Sequence, residues 1–304
     1  MSLLEPPVAA TAEMPSLLTP ASAGRKFRNN LATVFMWAAF GVALVPLVWV
    51  VWTVVSKGAP TAFHLDWWTH SQNGMTERRE GGGAYHAIVG SVLQTLVCTV
   101  IAVPIGLMTG IYLVEYGRGR VAAAASFMVD VLTGIPSIVA ALFVYALVIT
   151  TMGANRQGFA VSLALVLLMI PVIVRTTEEM LKLVPNDLRE ASLALGVPKW
   201  KTVVKIVIPT ALPGIITGIM LGIARVIGET APLLILVGYS KAINHNIFSG
   251  FQGSLPGMIL NEATNITLAP AEDRVWGAAF TLILIVGVLN LVARLVARLA
   301  SVKR

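Results

Sequence analysis

Six long apolar runs constrain this chain more than any other feature. They lie at about 31–56, 86–113, 121–150, 158–175, 207–238 and 275–300. A helix needs about 20 such residues to cross the hydrocarbon core of a bilayer. Backbone amides in lipid must be satisfied without water, so only helices and closed barrels can span. A barrel would show repeated alternating segments of about 10 residues, and the sequence has none. The expected fold is therefore an all-α integral membrane protein with six transmembrane helices. Charge content agrees: 12% of the residues are charged, against about 25% in soluble domains.

The net charge of +7 could point to nucleic acid, but its distribution points to topology. With the N-terminus inside, the inner loops collect most of the Lys and Arg, among them Arg25, Arg118, Arg120, Lys182, Arg189, Lys199 and Lys201. The outer side holds Lys57, Arg78, Arg79, Arg156, Lys241 and Arg274. This asymmetry is the positive-inside rule, and it places both termini in the cytoplasm. No nucleic-acid partner is expected. Residues 1–24 are rich in Pro, Ala, Ser and Thr, so 1–28 reads as a disordered cytoplasmic tail before a membrane domain at 29–304. The apolar run after the tail is too long for a signal-peptide core.

Cys98 is the only cysteine and reads as a packing residue. His64, His70, His86 and His245 show no metal-ligand spacing and read as loop or interface residues, so no metal is expected. In the long outer loop, Trp67 and Trp68 read as interfacial anchors. The Gly81-Gly82-Gly83 triplet turns the chain back towards the membrane. Further turns are expected at Gly250, Gly253 and Pro256-Gly257. Pro104, Pro136, Pro171, Pro213, Gly228 and Pro232 interrupt the spans, which bundles tolerate when neighbouring groups satisfy the freed backbone.

The cytoplasmic segment 178–209 is more structured than a connector. In 185-PNDLREASLALGVPKWKTVVKIVIP-209, Asn186 is suited to cap a helix and Asp187 to sit in its first turn. Leu188, Leu193 and Leu195 give that helix an apolar side. Gly196 would stop it, and Pro198 would start a second short helix at a new angle. Glu190-Ala191, Gly196, nine residues and then Ile206-Val207-Ile208-Pro209 resemble the EAA loop of ABC importer permeases. Ser192 stands where that signature has its second alanine, and Ile208 where it has leucine. The resemblance implies the type I (MetI-like) importer permease fold and a coupling helix that docks on an ATPase subunit. Glu190, Ala191, Leu195, Gly196 and Pro209 would carry the coupling. No G-x-x-x-x-G-K-[ST] phosphate loop is present, so nucleotide is expected on another chain.

The segments GGGAYHAIVGS, VPIGLMTGIYLVEYG, LTGIPSIVAALFVYAL, RTTEEML and ARVIGETAPLL narrow the resemblance to the PstA family of phosphate-importer permeases, from about residue 30 onwards. That family works in the bacterial cytoplasmic membrane. The resemblance implies a homologous permease partner, PstC, two copies of the ATPase PstB, which would hold ATP and Mg, and the phosphate-binding protein PstS. No cofactor is expected on this chain.

Arg225 and Glu229 lie four residues apart in an apolar run, which on a continuous helix would place them on one face. A charge at the bilayer centre costs about 2.5–3.5 kcal/mol on the insertion scale. They either form a structural salt bridge or face a translocation path, where a guanidinium fork suits an oxyanion. The resemblance makes Arg175 a candidate for an inner gate or the coupling network, and by type it reads equally as a snorkelling interfacial arginine. Asp130, inside the third run, would pair across helices, reach a polar path or be protonated. Two other functions stay open: cargo such as sulfate, molybdate or phosphonate, and an ATP-independent transporter using these charges as a relay.

Overall fold

The computed structural model describes residues 23–300, all helix and connecting loop. It divides into two compact units, Met1–Trp52 and Thr53–Arg304. The expected tail up to residue 22 lies outside the described residues, while 23–28 are already helical. Helix α1 (Ala23–Ala62) supplies the first unit and enters the second. Its first-unit residues 31–52 are apolar around the whole circumference, as a lipid-facing helix requires.

In the second unit a short helix α2 (Leu65–Thr69) precedes α3 (Tyr85–Ile111), which ends in a π-helical turn at Tyr112–Tyr116. The third span is broken. Helix α4 (Gly119–Gly134) and helix α5 (Ser137–Val144, with a π-helical extension to Thr151) meet at 108°. The cause is Pro136, which cannot donate to the helix ladder and pushes Ile135 into an extended conformation. Helix α6 (Gly158–Lys182) follows, then α7 (Asn186–Ala194) and α8 (Lys199–Thr202). A π-helical stretch, Val203–Val207, joins α8 to α9 (Ile208–Val226). Helices α10 (Ala231–Leu236), α11 (Leu255–Ala263) and α12 (Ala269–Ala300) complete the order. Among the described residues, five helices are long and apolar enough to cross a membrane, or six when the bent pair is counted as one span.

Helix α6 is the most buried span, and glycine explains how its neighbours approach it. Lipid is as apolar as leucine, so helices in a membrane associate through close packing more than through hydrophobic burial. On α3, a Cβ at Gly106 would lie 2.8 Å from Ile173 Cβ, and one at Gly110 2.8 Å from Thr177 Cβ. On α9, a Cβ at Gly218 would lie 2.6 Å from Thr176 Cβ. Cys98 is buried in the same core, its Sγ 3.6 Å from Met169 Sδ, as its reading as a packing residue required.

Several loop expectations change. Trp67 is 1% exposed and donates from Nε1 to Thr281 Oγ1 at 2.8 Å, so it packs inside the protein and is no interfacial anchor. Pro256-Gly257 begins α11, not a turn, because Ser254 Oγ caps it by accepting from the Gly257 amide at 3.2 Å and proline is compatible with a first helical turn. Gly81 and Gly82 do adopt positive φ, 80° and 88°. His86 is buried at the start of α3, 3.0 Å from the Tyr239 hydroxyl, and is not an interface residue.

Candidate functional site: a cleft at the broken span and an exposed helical knob

The break between α4 and α5 leaves a cleft of about 90 Å³. Leu132, Thr133 and Ile135 line it from the break, Pro171 and Arg175 from α6, and Arg225 from the last turn of α9. Two arginines 50 positions apart in sequence thus face one small space. Arg175 is held by two carboxylates. It donates to Asp130 Oδ1 on α4 and to Glu178 Oε2, the latter at 2.9 Å, and Lys182 also approaches Glu178 at 3.6 Å. Asp130 therefore pairs across helices, one of the alternatives its sequence position left open.

Among the described residues, neither Arg225 nor Glu229 finds a side-chain hydrogen bond or ion-pair partner. The expected pairing of these two on one helix face does not form. Helix α9 ends at Val226 because Pro232 has no amide to give the Gly228 carbonyl, and glycine is a poor helix former. Glu229 falls in the resulting turn, half-buried and outside the cleft lining. The cleft therefore carries one neutralised guanidinium and one unopposed one.

A larger cavity of about 750 Å³ lies near Trp67 and Trp276, lined by charges of both signs. Its Lys57 is already engaged by Glu272 at 2.7 Å, and its Arg274 by Glu262 at 3.4 Å, so neither cation is free for an anion. The smaller cleft is therefore the candidate site for an anion. Near the larger cavity, Lys241 joins Glu77 at 3.0 Å and Glu262 at 3.2 Å. The hydrogen bond from Lys241 lowers the Glu77 carboxyl below its ordinary 4.5. Burial raises the nearby Tyr239 hydroxyl above the ordinary phenol range.

The second candidate region is a knob made of α7 and α8. The helix starts one residue earlier than the capping argument required: Pro185 occupies the N-cap, Asn186 is helical and Asp187 lies in the first turn. Gly196 takes φ +75°. Its amide donates to Leu193 O at 2.9 Å and the Val197 amide to Ser192 O at 3.2 Å, the two bonds of a Schellman stop. A buried Ser192–Thr202 hydroxyl pair at 2.8 Å fastens α7 to α8. Glu190, Ala191, Leu195 and Gly196 are exposed together with Leu188, Leu193 and Trp200. Pro209 is half-buried at the start of α9.

Glu115 also belongs to this region, brought to Arg189 and Lys199 by the packing of the helices. Arg189 Nη2 lies 2.9 Å from buried Glu115, at the end of α3, and Lys199 donates to the Glu115 carbonyl. The available signal was Glu115, the single acid in a short connection that otherwise carries Arg118 and Arg120.

Residues 102–302 match the family of binding-protein-dependent transport system inner membrane components. The chain is 53% identical over 95% of its length to the phosphate transport system permease protein PstA 1 of Mycobacterium tuberculosis H37Rv, covering 94% of that protein. It is 54% identical to PstA of Mycobacterium leprae over 90% of each chain, and 40% identical to PstA of Yersinia pestis over 90% of this chain and 91% of that one. The chain belongs to the PstA family of transport-system permeases. As a PstA-family chain it is a non-catalytic membrane component of an ABC transport complex. The fold is shared with a bacterial alginate ABC transporter, at TM-score 0.63 and 11% identity over 92% of this chain and 98% of that one. An inward-facing MetNI methionine ABC transporter aligns at TM-score 0.59 and 20% identity, over 71% of this chain and 94% of that one. The PstA-family chain is thus built as a type I importer permease.

Proposed function

We propose that this chain is the permease subunit of an ATP-driven phosphate importer, forming the translocation path with a homologous permease. The observation that carries the reading is the convergence of Arg175 and Arg225 on one cleft at the break of the third span. Guanidinium forks match tetrahedral oxyanions in shape and stay charged when partly desolvated. Identity with phosphate permeases over nearly the whole length supports phosphate as the cargo in preference to sulfate, molybdate or phosphonate.

In this reading phosphate passes Arg225, the cation without a carboxylate, while Asp130 and Glu178 hold Arg175 as a fixed wall. An anion entering the cleft meets a net positive field that is not so strong as two free arginines would give. That moderation favours release. Glu229 lies close to Arg225 in sequence, in a turn, and would pair with it only if α9 rewound during transport. The knob with Glu190, Ala191, Leu195 and Gly196 outward would dock on PstB, which binds ATP and Mg. PstC is the second permease, PstS delivers phosphate, and both termini face the cytoplasm of the bacterium.

The test is labelled phosphate uptake at low external phosphate by cells lacking the gene, rescued by wild type, Arg225→Ala, Arg225→Lys or Asp130→Asn, with sulfate uptake as control. The expected result is phosphate-specific rescue, abolished by Arg225→Ala and weakened by Arg225→Lys at normal membrane levels. Full transport by Arg225→Ala would remove Arg225 from the path. Full transport by Arg225→Lys would show that the planar fork is not what phosphate reads.

A further inference from the structure

The knob must do more than dock. If a partner moves it, something must carry that movement to spans other than α9, with which α8 is continuous. Arg189 is placed for this. Its guanidinium has five N–H donors, and the structure gives it five hydrogen bonds to four acceptor atoms. Nε and Nη2 bond Glu115 Oε1 at 3.1 and 2.9 Å. Nη1 donates to Val184 O at 2.6 Å and to Asn186 Oδ1 at 3.2 Å. Nη2 also reaches Leu181 O at 2.9 Å.

These acceptors belong to three different elements. Glu115 ends the second span, Leu181 lies in the last turn of α6, the fourth span, and Asn186 belongs to the knob itself. Leu181 O lies in the last turn of α6 and has no i+4 amide to accept from, because residue 185 is proline, and a cation there also complements the helix dipole. Glu115 is 8% exposed, so its charge is costly to leave unpaired. On α6, Glu178 lies three residues before Leu181 and bonds Arg175 at the cleft.

We propose that Arg189 is a coupling residue that ties the knob rigidly to the ends of the second and fourth spans, so that displacement of the knob moves both. This rests on the reading above that the knob docks on the ATPase, and it adds how the movement leaves the knob. The side chain is half-buried and bonded to its own chain, whereas Glu190 beside it is exposed. Adjacent residues therefore take opposite tasks, one towards the partner and one towards the bundle.

The experiment uses the complete transporter in liposomes with loaded phosphate-binding protein, measuring phosphate uptake and ATP hydrolysis together. The variants are Arg189→Met, Arg189→Lys, Glu115→Gln and, for docking, Gly196→Trp. Arg189→Met is expected to keep the ATPase bound and hydrolysing, while ATP consumed per phosphate transported rises roughly 5- to 150-fold, the range of typical coupling energies. Arg189→Lys keeps the charge but holds fewer acceptors, and is expected to uncouple to a lesser degree. Glu115→Gln should resemble it. A mere structural ion pair would lower the amount of complex and leave the ATP-to-phosphate ratio unchanged.

Wild-type ratios in both Arg189 variants would overturn the proposal, as would loss of the assembled complex in both. Where Arg189→Met alone fails to assemble, the ratio in Arg189→Lys decides. If Gly196→Trp uncouples while the Arg189 variants stay coupled, docking stands and the transmission role falls. If Gly196→Trp is also fully coupled, the docking reading itself falls.

Discussion

Gly196 allows backbone strain and surface bulk to be separated at a single position. Its φ of +75° lies in the left-handed region, where an L-residue pays about 1–2 kcal/mol. Yet a Cβ built there meets no atom within 4 Å. Alanine and tryptophan therefore incur nearly the same backbone cost and differ only in how far they project from an exposed surface. That cost alters the local stability of the knob by a factor of about 5–30. It is the same in the free and docked loop, so it largely cancels from the affinity for a partner. The Ser192–Thr202 pair and the Arg189 bonds hold the turn in either variant. We expect Gly196→Ala to retain ATPase binding and coupled uptake, with a lowered thermal midpoint in detergent. Gly196→Trp should show a similar thermal loss but fail to bind the ATPase. Titration of the purified membrane subunits with the ATPase measures binding, and unfolding scans of the same samples measure stability. Equal loss of binding in both variants would mean that the partner depends on backbone geometry and not on a flush surface. Normal binding by Gly196→Trp would refute the assignment of this face.

Other positions test the packing and the outer loops. At Gly218 an added methyl sits 2.6 Å from Thr176 Cβ, so Gly218→Ala should destabilise the bundle by about 1–3 kcal/mol, whereas Gly134→Ala, with open space around it, should not; thermal unfolding in detergent compares them. Equal midpoints would show that α6 and α9 are not held at glycine contact. For Glu77, Lys241 holds the folded carboxyl below its ordinary 4.5. The stabilisation is therefore present above 4.5 and is lost as pH falls through the lower folded value. Hydrogen exchange at 72–82, corrected for intrinsic rates, should rise in that acid range in the wild type and lose this pH dependence in Glu77→Gln. An unchanged profile in the variant would place the pH response elsewhere.

Apolar length and loop composition are local properties, and they were legible. Six spans, the exposed knob and the glycine that stops its first helix follow from residue order alone. Gly196 acts through its own φ, and the Schellman bonds connect residues at most five apart, so no distant information was needed. The misreadings came where a short-range rule met a competing element. Trp67 is a plausible membrane anchor by type, but Thr281, more than 200 residues away, takes its indole N–H into the core. Pro256-Gly257 is a turn signal by dipeptide, but Ser254 in front of it provides a helix cap.

The sequence by itself determined that this chain lives in a membrane, where its long apolar runs fall, and which loop folds into an exposed helical knob. Each of those depends on backbone satisfaction and burial within one segment. Only the tertiary structure decided which charges meet. Arg225 and Glu229 are neighbours in the chain but do not pair, because a proline ends the helix between their turns. Arg175 finds Asp130 across 45 residues, and Arg189 finds Glu115 across 74. A charge in a low-dielectric interior is stabilised by whatever lies within a few ångströms of it, and that set of neighbours exists only once the helices have packed.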